Sequence, residues 1–121
     1  MAGITKLDFD SPDEVRTPGN ARVEIVTVGD TTAARTTAQP GWKWSQDVKP
    51  IVGGERCQKL HVGLATQGTL HVVHEDGTEG EVGAGQAYVV EPGHDAWVVG
   101  DEPWVGYEFE SMTAQTWGKE A

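Results

Sequence analysis

The side chains best suited to bind a metal ion are concentrated in the middle of the chain. The single cysteine, Cys57, and all four histidines lie between residues 57 and 94. Thiolate sulfur and imidazole nitrogen are ligands for Zn²⁺, Fe²⁺, Ni²⁺ and Cu²⁺. On one ideal strand Cys57 and His61 would point to the same face but lie about 13 Å apart. They could share an ion only across a bend or bulge. Otherwise Cys57 is a small buried apolar residue and His61 is a hydrogen-bonded interior histidine.

Two carboxylates close to these residues could move a proton. Asp95 directly follows His94, where it could orient the imidazole or act as a base. A salt bridge at the rim is the alternative, because adjacent strand residues point to opposite faces. Glu55 is the second candidate, either for catalysis or as a metal ligand. The other histidines, His71 and His74, are expected to face solvent.

Aromatic residues could line a pocket for an organic ligand. Trp42 and Trp44 are two residues apart and would share one face of a strand. The remaining candidates for substrate binding are Lys49, Tyr88 and Trp97. Pockets lined by indoles and a few polar groups bind planar or cyclic ligands, so we expect a cyclic or aromatic ligand that carries an acidic or oxygenated group. The alternative is that these rings only fill a small core.

Short strands separated by tight turns are predicted to position these residues. Glycines fall between runs of alternating apolar and polar residues, as in antiparallel hairpins. The predicted strands cover residues 21–28, 31–39, 42–44, 57–66, 69–74, 79–82, 86–91, 95–99 and 105–109. A capping pattern predicts a helical turn at 11–14, and residues 45–55 are expected to form a loop. On the last strand Glu108 and Glu110 alternate with Tyr107 and Phe109, so one of these pairs faces inward.

Composition limits the size of the fold and the classes of partner. A chain of 121 residues fits one domain, and we expect an extension over 1–20, a barrel over 21–110 and a tail over 111–121. The net charge of −10 excludes nucleic acid and anionic membranes as partners, because both repel an acidic surface. A lone cysteine favours a reducing cytoplasm. We find no leader-like pattern and no apolar stretch of membrane-spanning length, so we expect a soluble protein.

The stretch from 42 to 109 resembles the cupin superfamily, whose members are small β-barrels of the jelly-roll type. The first cupin motif, H-x-H-x3-E-x6-G, aligns its final glycine with Gly68 and its glutamate with His61. Its two metal-ligand histidine positions are then occupied by Glu55 and Cys57.

The second cupin motif, G-x5-P-x-G-x2-H, aligns its glycines with Gly85 and Gly93. Glu91 stands in place of its proline and Ala96 in place of its histidine, while His94 lies two residues earlier. Because the two motifs converge in this fold, the resemblance implies that His61 and His94 both point into the barrel and approach each other. With Cys57 they would form a three-ligand site with one open position.

Two kinds of function follow from these residues and this resemblance. In the first, a divalent transition metal (Zn, Fe, Ni or Cu) held by His61, His94 and Cys57 polarises a small cyclic or oxygenated substrate, while Asp95 or Glu55 moves a proton. Isomerases, dioxygenases and lyases all use barrels of this kind. In the second, the protein is a metal-free module that binds or senses a small molecule. A dimerising scaffold is a further alternative, and we expect a homodimer.

Overall fold

Antiparallel strands make up most of the fold, which we describe from a computed structural model for residues 3–29 and 31–109. The elements are β1 (Glu14–Arg16), β2 (Ala21–Val28), β3 (Thr31–Ala38), α1 (Trp44–Asp47), α2 (Lys49–Val52), β4 (His61–Gln67), β5 (Thr69–His74), β6 (Glu79–Gly83), β7 (Ala87–Val90), β8 (His94–Val99) and β9 (Trp104–Phe109). None of the helices in these residues is long and apolar enough to cross a membrane.

The strands form two sheets that share one core. The larger sheet has the order β1-β2-β3-β9-β4-β7, and the smaller has the order β6-β5-β8. Val23 and Trp104 of the larger sheet belong to the same buried cluster as Leu70 and Val98 of the smaller sheet, together with Trp44 of α1. The apolar faces of both sheets are therefore buried against each other, as expected for a small barrel.

Alternation along the last two strands decides which side chains reach the interior. On β8, His94, Ala96 and Val98 are buried, and the residues between them are more exposed. On β9, Glu108 is buried while Tyr107 and Phe109 are not. Glu108 therefore faces inward, which the sequence alone did not determine. Glu110 and the predicted tail over 111–121 lie outside the described residues.

The predicted helical turn at 11–14 is wrong. Residues 14–16 form β1, in which Val15 pairs with Glu24 of β2. Asp13, expected in the first helical turn after Ser11, binds β2 instead: its amide donates to the carbonyl of Ile25 at 2.8 Å, and its carboxylate accepts the amide of Thr27 at 2.8 Å. Contacts with a distant strand therefore replace the local capping pattern.

The predicted loop over 45–55 is also wrong in part, because it contains most of α1 and all of α2. The Asp47 carboxylate accepts the amide of Lys43 at 2.9 Å, which closes the first turn of α1. Trp44 therefore begins a helix, and the predicted strand at 42–44 is reduced to one bridge between Lys43 and Trp97. The strand predicted from residue 57 begins only at His61. The other predicted strands agree with the structure to within one residue at each end.

Gly106 on β9 provides space for two aromatic rings of the core. A Cβ atom at this position would overlap the ring of Trp104 and lie 2.8 Å from the Tyr88 hydroxyl oxygen. We therefore expect Gly106→Ala to lower the free energy of unfolding by about 1 to 3 kcal/mol, the usual cost of overpacking, in urea denaturation. Gly80→Ala is the matched control, since a Cβ there has no neighbour within 4 Å. Equal stability of the two variants would contradict this description of the core.

Candidate metal centre

The interior contains a cavity of about 50 Å³ that is lined from both sheets. Most of its wall is apolar. The titratable or hydroxyl-bearing side chains in the wall are those of Thr36, His61, Tyr88, His94 and Glu108, and the indoles of Trp42, Trp44 and Trp104 also line it. A small site with a few polar groups in an apolar wall is typical of ligand-binding cavities.

Cys57, His61 and His94 converge at one point of the interior. One potential ligand atom from each residue lies within 4.8 Å of the other two. The Cys57 Sγ is 3.6 Å from His61 Nε2, and the centroids of the two imidazole rings are 4.9 Å apart. The predicted approach of His61 and His94 inside the barrel is therefore confirmed.

Backbone pairing explains how Cys57 reaches this point. Its amide donates to the carbonyl of His94 at 2.7 Å, and its carbonyl accepts the amide of Gly93 at 2.7 Å. Cys57 is thus held beside the start of β8 rather than on β4, and the chain bends before His61. Gly93 has a φ of 97°, and a Cβ there would lie 2.8 Å from the carboxylate carbon of Glu75. Because Cys57 and His61 do not lie on one strand, the separation of about 13 Å expected for an ideal strand does not apply to them.

Hydrogen bonds fix the orientation of both histidine rings. His94 Nδ1 lies 2.8 Å from the carbonyl oxygen of Glu91. Because a carbonyl only accepts, Nδ1 carries the hydrogen, and Nε2 of the neutral ring has the lone pair. His61 Nδ1 lies 3.0 Å from one oxygen of Glu108, whose other oxygen accepts the Tyr88 hydroxyl at 2.8 Å. Carbonyl and carboxylate partners of this kind orient the imidazoles of metal sites.

The charges at the site are strongly coupled. Burial opposes ionisation of the Cys57 thiol, but hydrogen bonds and charge interactions with His61 and His94 outweigh it and lower its pKa to about 6. Burial also opposes protonation of His61, but the charge of Glu108 and the contact with Cys57 raise the pKa of His61 to about 10. Burial and the Glu108 charge raise the pKa of Tyr88 well above its usual value, so its hydroxyl stays protonated. At neutral pH the metal-free site therefore contains a thiolate and an imidazolium beside a carboxylate.

The donor set fits a divalent transition metal. Zinc bonds of about 2.3 Å to sulfur and 2.0 to 2.1 Å to nitrogen place tetrahedral ligand atoms roughly 3.3 to 3.7 Å apart. The distance of 3.6 Å between Cys57 Sγ and His61 Nε2 meets this requirement. All three ligand atoms lie within 4.8 Å of one another, so they would need to move only slightly closer together to bind one ion. Because His61 and His94 also line the cavity, a fourth position would face it.

Asp95 and Trp97 do not line the cavity, because on β8 they alternate with the inward residues His94 and Ala96. The Asp95 carboxylate accepts the amides of Ser45 at 3.2 Å and Ala96 at 2.9 Å. The Trp97 ring stacks on His71, with centroids 4.8 Å apart. The structure therefore places neither Asp95, the expected base, nor Trp97, an expected ligand-binding residue, at the candidate site.

Glu55 and Lys49 also lie away from the cavity. They form an ion pair with each other at 3.4 Å, and the Glu55 side chain is 94% exposed. Of the predicted ligand-binding residues, Trp42, Trp44 and Tyr88 do line the cavity. His71 and His74 are outside it, as predicted, and His74 Nε2 lies 2.7 Å from the carbonyl oxygen of Pro92.

Among the polar and aromatic residues of the cavity wall, sequence reasoning missed Thr36, Trp104 and Glu108 as site residues. The strand that contains Thr36 was predicted, but nothing in its run of threonines and alanines marks this position as part of a cavity. For Glu108 the alternation on β9 was visible, but nothing in the local sequence indicates which set faces inward. Trp104 immediately precedes the predicted start of that strand.

Comparisons with known proteins identify the fold. No family model matches the sequence, and no curated protein matches it. Among solved structures, oxalate decarboxylase from Bacillus subtilis matches with a TM-score of 0.63 and 16% identity over 91% of this chain and 30% of that one. KdgF from a Halomonas species matches with a TM-score of 0.58 and 17% identity over 89% of this chain and 93% of that one.

A cupin-like protein from Thermotoga maritima gives a TM-score of 0.52 and 14% identity over 82% of this chain and 73% of that one. At these identities the similarity is one of fold. The chain has the fold of the cupin superfamily, as its two sequence motifs predicted. It spans about a third of the length of the oxalate decarboxylase.

Proposed function

We propose that this cupin-fold protein binds one divalent transition metal ion through Cys57, His61 and His94 and that the ion binds a small oxygenated ligand in the cavity. The observation that carries the proposal is the convergence of three ligand atoms within 4.8 Å beside a cavity. Sulfur and imidazole donors suit Zn²⁺, Fe²⁺, Ni²⁺ or Cu²⁺. A bound ion would supply Lewis-acid polarisation of the ligand.

The cavity volume limits the size of the ligand. One water molecule needs about 10 to 15 Å³ of cavity volume. A cavity of about 50 Å³ therefore has room for a few non-hydrogen atoms. An engineered cavity that binds benzene is about three times larger. The volume therefore favours a small oxygenated ligand over the cyclic one that the tryptophans suggested. Oxalate decarboxylase, which has the same fold, is named for a substrate in this size range.

If the bound ligand reacts in the cavity, the proton carrier would differ from those expected from the sequence. Asp95 and Glu55 lie away from the cavity, whereas Glu108 lines it and contacts both His61 and Tyr88. Glu108 is thus the candidate for proton transfer in an isomerase, dioxygenase or lyase reaction, and the Tyr88 hydroxyl, which stays protonated, would hold it in place by a hydrogen bond.

A metal-free binding module is the second candidate. The observation that favours it is the pairing of Cys57, His61 and Glu108, since the imidazole contacts both anionic groups. Buried charges that are paired in this way need no further counterion. Metal titration separates the two candidates.

Metal binding is expected to release protons in a pH-dependent way. At pH 8 the thiol of Cys57, with a pKa of about 6, is already ionised, whereas His61, with a pKa of about 10, must lose its proton to bind the ion. Calorimetric titration of chelator-treated protein with Zn²⁺ in buffers of different ionisation enthalpy should therefore show one ion per chain and about one proton released. The number should rise, and the affinity fall, as the pH drops through 6, because Cys57 then also binds a proton. Absence of saturable binding would favour the metal-free module.

Several broader expectations stay predictions. A homodimer is supported by exposed apolar side chains on adjacent strands, at Val62 and Leu64 of β4 and at Val89 of β7. The cytoplasmic location and the domain boundaries at residues 20 and 110 are likewise proposals.

A further inference from the structure

We infer that the indole N–H of Trp44 and the hydroxyl of Thr36 form the subsite that recognises the ligand, and that the ligand is a small monocarboxylate. This inference rests on the proposed function and specifies the substrate class for the same cavity. Both residues line the cavity, and neither Trp44 Nε1 nor Thr36 Oγ1 has a hydrogen-bond partner in the structure.

The burial of these two atoms makes their lack of a partner informative. Trp44 is 2% exposed and Thr36 is 6% exposed, so bulk water does not satisfy either group. Buried polar groups in native proteins are nearly always paired, and each exception requires an explanation. A ligand in the cavity that accepts hydrogen bonds would satisfy both.

Another tryptophan of the cavity wall does have a hydrogen-bond partner for its indole N–H. Trp104 also lines the cavity, but its Nε1 donates to the carbonyl oxygen of Val82 at 3.2 Å. The packing of the barrel thus provides an internal acceptor for Trp104 and none for Trp44. This difference points to the space beside Trp44 as the place for an acceptor from outside the chain.

The chemistry of the two groups selects the class of ligand. An indole N–H only donates, and a threonine hydroxyl can donate, so the bound atoms must be acceptors. A carboxylate offers oxygens that only accept, whereas alcohols and amines bring hydrogens of their own. The cavity of about 50 Å³ limits the ligand to a few non-hydrogen atoms. Formate and acetate meet these requirements.

Binding of acetate, followed by NMR through saturation transfer to its methyl protons, tests the inference. The zinc-loaded protein should bind acetate, and Trp44→Phe and Thr36→Val should each weaken binding by about tenfold or more, as for hydrogen bonds to charged groups. Both variants should keep the zinc stoichiometry of the wild type. Trp97→Phe and Thr37→Val are matched controls, because neither residue lines the cavity, and they should bind acetate normally.

Each outcome of this experiment decides a separate point. Unchanged acetate binding in both cavity variants would overturn the inference, and acetamide binding as tightly as acetate would overturn the carboxylate class. If Trp44→Phe does not fold, Thr36→Val decides alone. If the wild type binds no metal, the proposed function fails and the same comparison is made on the metal-free protein. There, acetate binding that depends on Trp44 and Thr36 supports the subsite, and absence of acetate binding overturns it.

Discussion

Replacing His61 with alanine is expected to abolish stoichiometric metal binding, with a loss of affinity of more than about 100-fold. His61 is the proposed ligand that contacts both Cys57, at 3.6 Å, and Glu108, at 3.0 Å. Loss of a group that only orients a ligand costs about 10 to 100-fold in affinity, so loss of the ligand itself should cost more. Competition with a chromophoric chelator measures the affinity, and circular dichroism shows whether the variant is folded.

His71→Ala is the matched control for this experiment. His71 also contacts a glutamate, Glu79, at 2.9 Å, but it lies outside the cavity against Trp97. Its removal should leave the metal affinity unchanged. A folded His61→Ala protein that still binds one ion with wild-type affinity would rule out the assigned ligand set.

Removing the charge of Glu108 is expected to have the second largest effect. Glu108→Gln takes away the carboxylate that faces His61 Nδ1 and accepts the Tyr88 hydroxyl. We expect metal affinity to fall by about 10 to 100-fold, as for other carboxylates that orient imidazole ligands. The metal-free variant should also lose about 3 kcal/mol of stability at pH 7, because Glu108 is 3% exposed and breaking a buried ion pair costs about this much.

Glu79→Gln provides the comparison for the Glu108 variant. It changes a histidine–glutamate contact of similar length, 2.9 Å, in which the glutamate side chain is 60% exposed. Surface pairs contribute little, so this variant should match the wild type in both measurements. If the two glutamine variants behave alike, Glu108 does not position His61.

The strand limits could be predicted because local patterns determine them, whereas the approach of the two histidines was implied by the resemblance to the cupin superfamily. Glycine turns and period-2 alternation set the strand limits, and the two motifs identified the positions of His61 and His94. The predicted strand began at residue 95 and left His94 in the turn before it, so Trp97 was expected near the same cavity. Because β8 begins at His94, the odd spacing places Trp97 on the opposite face, against His71.

Other errors arose because long-range contacts overrode local signals. Asp13 has the sequence context of a helix start, but its backbone and carboxylate bind β2. Glu55 was placed at the site by motif alignment, whereas the structure holds it at the surface against Lys49. The inward orientation of Glu108 depends on how β9 is inserted between β3 and β4, and no local pattern encodes that placement.

X-ray absorption spectroscopy of the zinc-loaded, untagged protein tests the central claim most directly, because it identifies the atoms bound to the ion. The account predicts one sulfur ligand at about 2.3 Å, and nitrogen ligands at about 2.0 to 2.1 Å with the scattering pattern of two imidazoles. The sulfur contribution should disappear in Cys57→Ser. A zinc ion surrounded only by oxygen and nitrogen in the wild type, or no retained zinc, would contradict the assignment of Cys57, His61 and His94 as the metal centre.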